Sequence, residues 1–125
     1  MSYDLMVFEP TAAPRERDAF IDWYHTQANW SEPHGYDDPK VTSPRLAAWF
    51  AEMIRTYPPM NGPLRSGNID DPKVTDYSIG SVVIYAAFAW SQAEQAYAQF
   101  RRLAAEHGVG FFDVSGDSEI VLPAD

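Results

Sequence analysis

Three histidines, His25, His34 and His107, are the side chains that could bind a metal or shuttle protons near neutral pH. They stand far apart and form no His-x-x-x-His or similar pair. Surface and capping roles suit them better: His25 follows Trp23 and Tyr24 on a helical stripe, His34 lies in a loop, and His107 ends a helix. Two aspartate pairs, Asp37-Asp38 and Asp70-Asp71, could together hold a hard cation if the fold joined them. Neither sits in the alternating Asp-x-Asp-x-Asp-Gly pattern of a calcium loop, so no metal is expected. The chain has no cysteine, which excludes disulfides, thiolate catalysis and cysteine-ligated centres. Its serines, among them Ser78, Ser81, Ser91, Ser115 and Ser118, include no Gly-x-Ser-x-Gly elbow. Gly108-Val109-Gly110 lies between helix and strand, the reverse of the order a phosphate loop requires. Asp113, inside Phe111-Phe112-Asp113-Val114, is the carboxylate whose pKa an apolar strand would raise, although an outward-facing position is the simpler expectation. These residues predict no catalytic group, no metal and no cofactor, hence no enzyme.

Charge is more informative. Eighteen acids against nine bases give a formal charge of −9. That sign disfavours a nucleic-acid backbone and favours a basic protein partner. Residues 29–42 and 61–76 carry three acids each, and 109–125 carry four with no base. Aromatic residues stand beside the loop acids: Trp30 near Glu32, Tyr36 next to Asp37-Asp38. An apolar anchor in a charged surround is a common interface plan. The expected partner-binding set is therefore Trp30, Glu32, Tyr36, Asp37, Asp38, Asp70, Asp71 and Asp76, with Trp30 or Tyr36 as the anchor.

The elements that must position these residues follow from periodicity. Tyr3 to Phe8 reads as a central strand, because Leu5-Met6-Val7-Phe8 is apolar without alternation. A helix is predicted from about Pro14 to Ala28, with Pro14 in its first turn. Asn29 to Thr42 is a long loop. Ser43-Pro44 starts a second helix, with Leu46, Trp49, Phe50, Met53, Ile54 and Tyr57 on one stripe, and Pro58-Pro59 ends it. A second polar loop runs from Met60 to Asp76. Strands Tyr77–Ile79 and Val82–Trp90 flank Gly80-Ser81, and the second is again doubly apolar. Ser91-Gln92-Ala93-Glu94 reads as a capping box for a helix that Gly108 terminates. Strands at Val109–Val114 and Glu119–Leu122 close the chain. One hexapeptide, Asp37-Asp38-Pro39-Lys40-Val41-Thr42, recurs as Asp70-Asp71-Pro72-Lys73-Val74-Thr75, and is read as loop punctuation rather than a repeat architecture.

The order β-α-α-β-β-α-β-β predicts one α+β domain over residues 1–125. Its mixed or antiparallel sheet would have 4–5 strands, with helices packed on one face in a ferredoxin-like arrangement with an extra helix. The start Met1-Ser2-Tyr3-Asp4-Leu5 lacks a basic, then apolar, leader, and no apolar run is long enough to span a membrane. A cytoplasmic protein with no membrane partner is expected; a homo-oligomer is left open.

Four segments carry a resemblance: Tyr3–Phe8, Pro58-Pro59-Met60-Asn61-Gly62-Pro63, Asp76-Tyr77-Ser78-Ile79-Gly80 and Val109–Ser115. Through them nearly the whole chain resembles a family of small bacterial proteins akin to the immunity partners of polymorphic and contact-delivered toxins. The resemblance implies a bacterial protein that neutralises a cognate toxin domain, and it assigns a role to no residue. Its expected target is basic and nuclease-like, engaged through the acidic loops. The alternative is a small enzyme or small-ligand-binding domain, with a pocket between the sheet and the loops 29–42 and 60–76.

Overall fold

The computed structural model describes residues 2–68 and 70–123. The elements are β1 (Tyr3–Phe8), α1 (Arg17–Gln27), a 3-10 turn (Pro39–Val41), α2 (Pro44–Met53), β2 (Asp76–Ile79) and β3 (Val83–Phe88). A second 3-10 turn (Trp90–Gln92), α3 (Ala93–His107), β4 (Gly110–Phe112) and β5 (Ile120–Val121) follow. This is an α+β fold: three helices on a five-stranded antiparallel sheet of order β2-β3-β1-β4-β5. The two doubly apolar strands are interior neighbours, paired from Tyr3 opposite Phe88 to Phe8 opposite Val83. The first four strands take the split β-α-β order, with β5 added beside β4.

The expectation that all helices share one face is corrected. α2 and α3 cover one face, where Trp49, Phe50, Met53, Phe100 and Leu103 bury Leu5, Val7, Ile84 and Phe88. α1 packs on the other, where Phe20 meets Phe8 at 4.9 Å and Phe112 at 5.2 Å. The physical reason is alternation: Leu5 and Val7 point one way, Met6 and Phe8 the other, and all four are buried. A sheet apolar on both sides needs a helix on each.

Local signals explain most boundaries. The Ser43 hydroxyl accepts the Leu46 N–H at 3.4 Å and starts α2. Gly108, at φ 67°, ends α3 in the left-handed region, as predicted. The other two starts differ. α1 begins after Glu16, whose carboxylate accepts the N–H groups of Asp18 and Ala19; Pro14 lies outside the helix. The capping box does not form, because the Trp90–Gln92 turn feeds α3 directly, with Gln92 already in helical conformation at the cap position. α2 ends at Met53, four residues before the expected stop. A turn closed by Tyr57 N–H donating to Met53 O at 2.9 Å carries the chain on to Pro58. Tyr57 still reaches the core, and its carbonyl accepts the Tyr77 hydroxyl at 2.7 Å.

Candidate functional site

The loops 29–42 and 60–76 carry most of the residues singled out by sequence, and the fold brings them into contact. Gly62 has φ 89°, and a Cβ on it would lie 2.1 Å from the Asp37 carbonyl oxygen. The two backbones therefore touch at a point that only glycine tolerates. The second loop folds back on itself: the Met60 N–H donates to Thr75 O at 2.8 Å, Thr75 N–H to Pro58 O at 2.9 Å, and Ser66 N–H to Pro59 O at 2.8 Å.

Beside this contact lies an open cleft of about 420 Å³. Tyr36 and Asp37 line it from the first loop, Asn61, Gly62 and Arg65 from the second, and Asp76, Tyr77 and Ser78 from β2. Its walls carry both signs of charge. Asn61 Nδ2 donates to Asp76 Oδ1 at 3.4 Å, while Arg65 Nη1 reaches the Gly62 carbonyl at 3.4 Å. Arg65 forms no ion pair among the described residues.

The floor of the cleft is the free edge of β2. Gly80 N–H donates to Val83 O at 2.8 Å, inward to β3, whereas the preceding Ile79 N–H donates outward to Tyr36 O at 2.7 Å. Strand alternation then turns the Tyr77 N–H and C=O outward as well. Pro58 and Met60 occupy the edge at Thr75, and Tyr36 occupies it at Ile79. Between these two caps, among the described residues, the Tyr77 peptide has no backbone partner.

The first loop is held by a compact polar clasp. Glu32 accepts His34 Nε2 at 2.5 Å, Ser81 N–H at 3.0 Å and the Ser81 hydroxyl at 3.2 Å. His34 Nδ1 faces the Gly35 carbonyl at 2.7 Å. Both ring nitrogens thus face acceptors, which only the doubly protonated imidazolium can satisfy. The Gly35 carbonyl and the Glu32 carboxylate accordingly hold the His34 pKa above its usual value. Burial opposes the charge on Glu32, but hydrogen bonds from His34 and Ser81 outweigh it and hold the carboxyl below its usual range.

The predicted residues divide sharply. Asp37 and Asp76 share the cleft, with Tyr36 between wall and floor. Glu32 is consumed by the clasp. Asp38 and Asp71 make the same bond in the two copies of the hexapeptide, each accepting the N–H of the lysine two residues on at 2.9 Å. The repeat is therefore matched turn chemistry. Asp70 and Asp71 are exposed and do not line the cleft. Trp30 does not stand out as an anchor: it is half-buried, 5.1 Å from Tyr36 and 6.2 Å from Tyr85. The Tyr36 hydroxyl accepts the Glu32 N–H at 2.6 Å. Sequence reasoning did not single out Asn61, Gly62 and Arg65, which face Asp37 across the cleft. Asn61-Gly62-Pro63 was a visible turn signal, but nothing in it marks which loop it will meet.

Other clusters are structural. Asp113 is buried rather than outward-facing; its carboxylate accepts the Gly116 N–H at 3.1 Å and caps the last turn. Burial, with Asp117 and Glu119 nearby, raises its pKa. Buried Glu9 accepts the Ser43 hydroxyl at 2.9 Å and pairs with Arg45 at 3.5 Å, tying β1 to α2. An apolar cavity of about 250 Å³ lies between α3 and β5. Among the described residues, no group of three His, Asp or Glu side chains is placed to hold a metal, and no helix is long and apolar enough to cross a membrane.

Neither the family models, nor the curated proteins, nor the solved structures include a match to this chain.

Proposed function

We propose that this protein is a binding module of the immunity type, which neutralises a basic, nuclease-like bacterial toxin domain by occupying it rather than by catalysis. The observation that carries the proposal is the convergence of two acidic loops on one open cleft. Asp37 and Asp76, both exposed, share its wall although 39 residues separate them in sequence. Acids Asp70 and Asp71 extend the negative field of the second loop into solvent. Such a field speeds encounter with a basic surface and selects against acidic ones. The resemblance of the chain to toxin-associated proteins supplies the toxin as partner, and the cytoplasm as the place of action follows from it.

The small-ligand alternative is favoured by the presence of a cleft where it requires one. Against it, Asp37, Asn61, Arg65 and Asp76 are all exposed, whereas ligand pockets enclose most of their guest. The open shape suits a protein surface better.

The test is co-expression with a basic, nuclease-like toxin domain, sought first in the open reading frames that adjoin this gene. Protection of growth is expected from the parent chain, with weaker protection from the D37K/D76K double variant. Association of the purified pair should slow as salt is added, and the double variant should lose most of that salt dependence. Absence of protection by the parent chain contradicts the proposal.

A further inference from the structure

Edge strands are normally covered, because an unpaired row of N–H and C=O groups recruits other strands. Here β2 is paired with loop backbone at both ends and unpaired in the middle, where Tyr77, 4% exposed, meets the cleft. Tyr36 closes it at Ile79, and Pro58 and Met60 close it at Thr75. The distance from Thr75 to Ile79 along a strand is about 13 Å, room for an extended segment of about three residues. The Tyr77 side chain is held in the core by its bond to the Tyr57 carbonyl, so the peptide unit it presents is fixed in place. Next to that unit stand two carboxylates, Asp37 and Asp76, against one guanidinium, Arg65.

We infer that the cleft is a strand-addition site: an extended segment of the protein partner pairs one residue with the Tyr77 N–H and C=O and lays a basic side chain beside Asp37 and Asp76. The inference rests on the partner-binding reading above and states how the partner is read. Backbone pairing at Tyr77 supplies attachment without regard to side chains. The two carboxylates supply preference, and Arg65 adds a second contact for an acidic or carbonyl group further along the segment. The caps at either end limit the added strand to a short stretch, which keeps the edge from recruiting arbitrary β-structure.

The experiment uses the full chain, labelled with nitrogen-15, and the blocked tripeptide acetyl-Arg-Val-Arg-amide as probe: the valine pairs with Tyr77, and alternation puts the flanking arginines on the Asp76 face. Titration followed by amide shifts should move Tyr77, Asp37 and Asp76 together, with a Kd on the order of 1 mM. The Tyr77 N–H should exchange more slowly with peptide bound. N-methylation of the central valine removes the donor opposite Tyr77 and should weaken binding about tenfold. Glutamate in place of both arginines should also weaken it. The D37N/D76N variant should lose the preference for arginine over alanine while keeping the Tyr77 shift, which also reports that it is folded. Equal binding of the N-methylated peptide, or movement of Asp37 and Asp76 without Tyr77, overturns strand addition and leaves the acidic-cleft reading standing. A peptide that moves no amide overturns it too. Co-expression, which uses no peptide, judges the partner reading separately.

Discussion

The loops 29–42 and 60–76 each carry three acids and one copy of the same hexapeptide, yet they use their polar groups in opposite ways. The first turns most of them inward: Glu32, His34 and Tyr36 bond within the loop or to the β2–β3 turn, Asp38 makes the same turn bond as Asp71, and Asp37 alone of its acids is exposed. The second leaves them out. Asn61, Arg65, Asp70, Asp71 and Asp76 are exposed, and so are Met60 at 41% and Leu64 at 52%. One loop is a wall fixed by its own bonds; the other is a surface held mainly by its backbone. Composition alone does not distinguish them. What differs is whether a partner for each side chain lies within reach, and for Glu32 that partner is Ser81, 49 residues away.

Both loops stand on the same core, so the largest effect is expected there. Phe100 is fully buried, 4.6 Å from Trp49 and 5.8 Å from Phe111. Phe100→Ala should cost about 3–5 kcal/mol in chemical denaturation. A loss below about 1 kcal/mol would mean that this face does not carry the fold. Next comes the joint between the loops. Gly62→Ala forces a Cβ against the Asp37 carbonyl at positive φ and should cost about 1–3 kcal/mol. A neutral Gly62→Ala would mean that the loops do not touch.

The contrast between the loops is tested by a matched pair. Glu32→Gln weakens a clasp of three donors and should cost about 1 kcal/mol, measured by urea unfolding. Asp71→Asn changes one exposed turn bond and should stay within about 0.5 kcal/mol. Equal costs would erase the distinction between the two loops.

The smallest effect is the pH dependence of the clasp. The His34 pKa is raised from 6.5, so its contribution is fully present below the unfolded value and is lost as pH rises through the folded one. The Glu32 pKa is lowered from 4.5, so its contribution is present above the unfolded value and is lost as pH falls through the folded one. The clasp is strongest between those limits. The stability difference between the parent chain and His34→Gln should shrink as pH rises from 6 towards 9. A constant difference would show that His34 is not an imidazolium in the fold.

How much of this was legible in the sequence varies with the range of the interaction. The unbroken apolar runs in β1 and β3 marked both strands as central, and the structure makes them neighbours. The same runs already required cover on two faces. The expectation of helices on one face missed this because α1 has a weak stripe, with Phe20 its one fully buried residue. Caps at Ser43 and Gly108 are local and were readable. The capping box at Ser91 failed because a competing 3-10 turn used the same residues. In the site, the acids were visible and their fates were not. Asp37 and Asp76 look no different in sequence from Asp38 and Asp71, which cap turns. The open Tyr77 peptide left no mark at all, since it depends on where Tyr36 and Met60 meet the sheet edge.

The most direct test of the proposed partner binding is amide hydrogen exchange of the full chain, alone and mixed with a toxin domain from which it protects cells. Slowed exchange is expected at Asp37, at Asn61 to Arg65 and at Asp76 to Ser78, with Tyr77 among the most protected. Protection confined to α1, or to the α3–β5 side, with the Tyr77 amide unchanged, would contradict it.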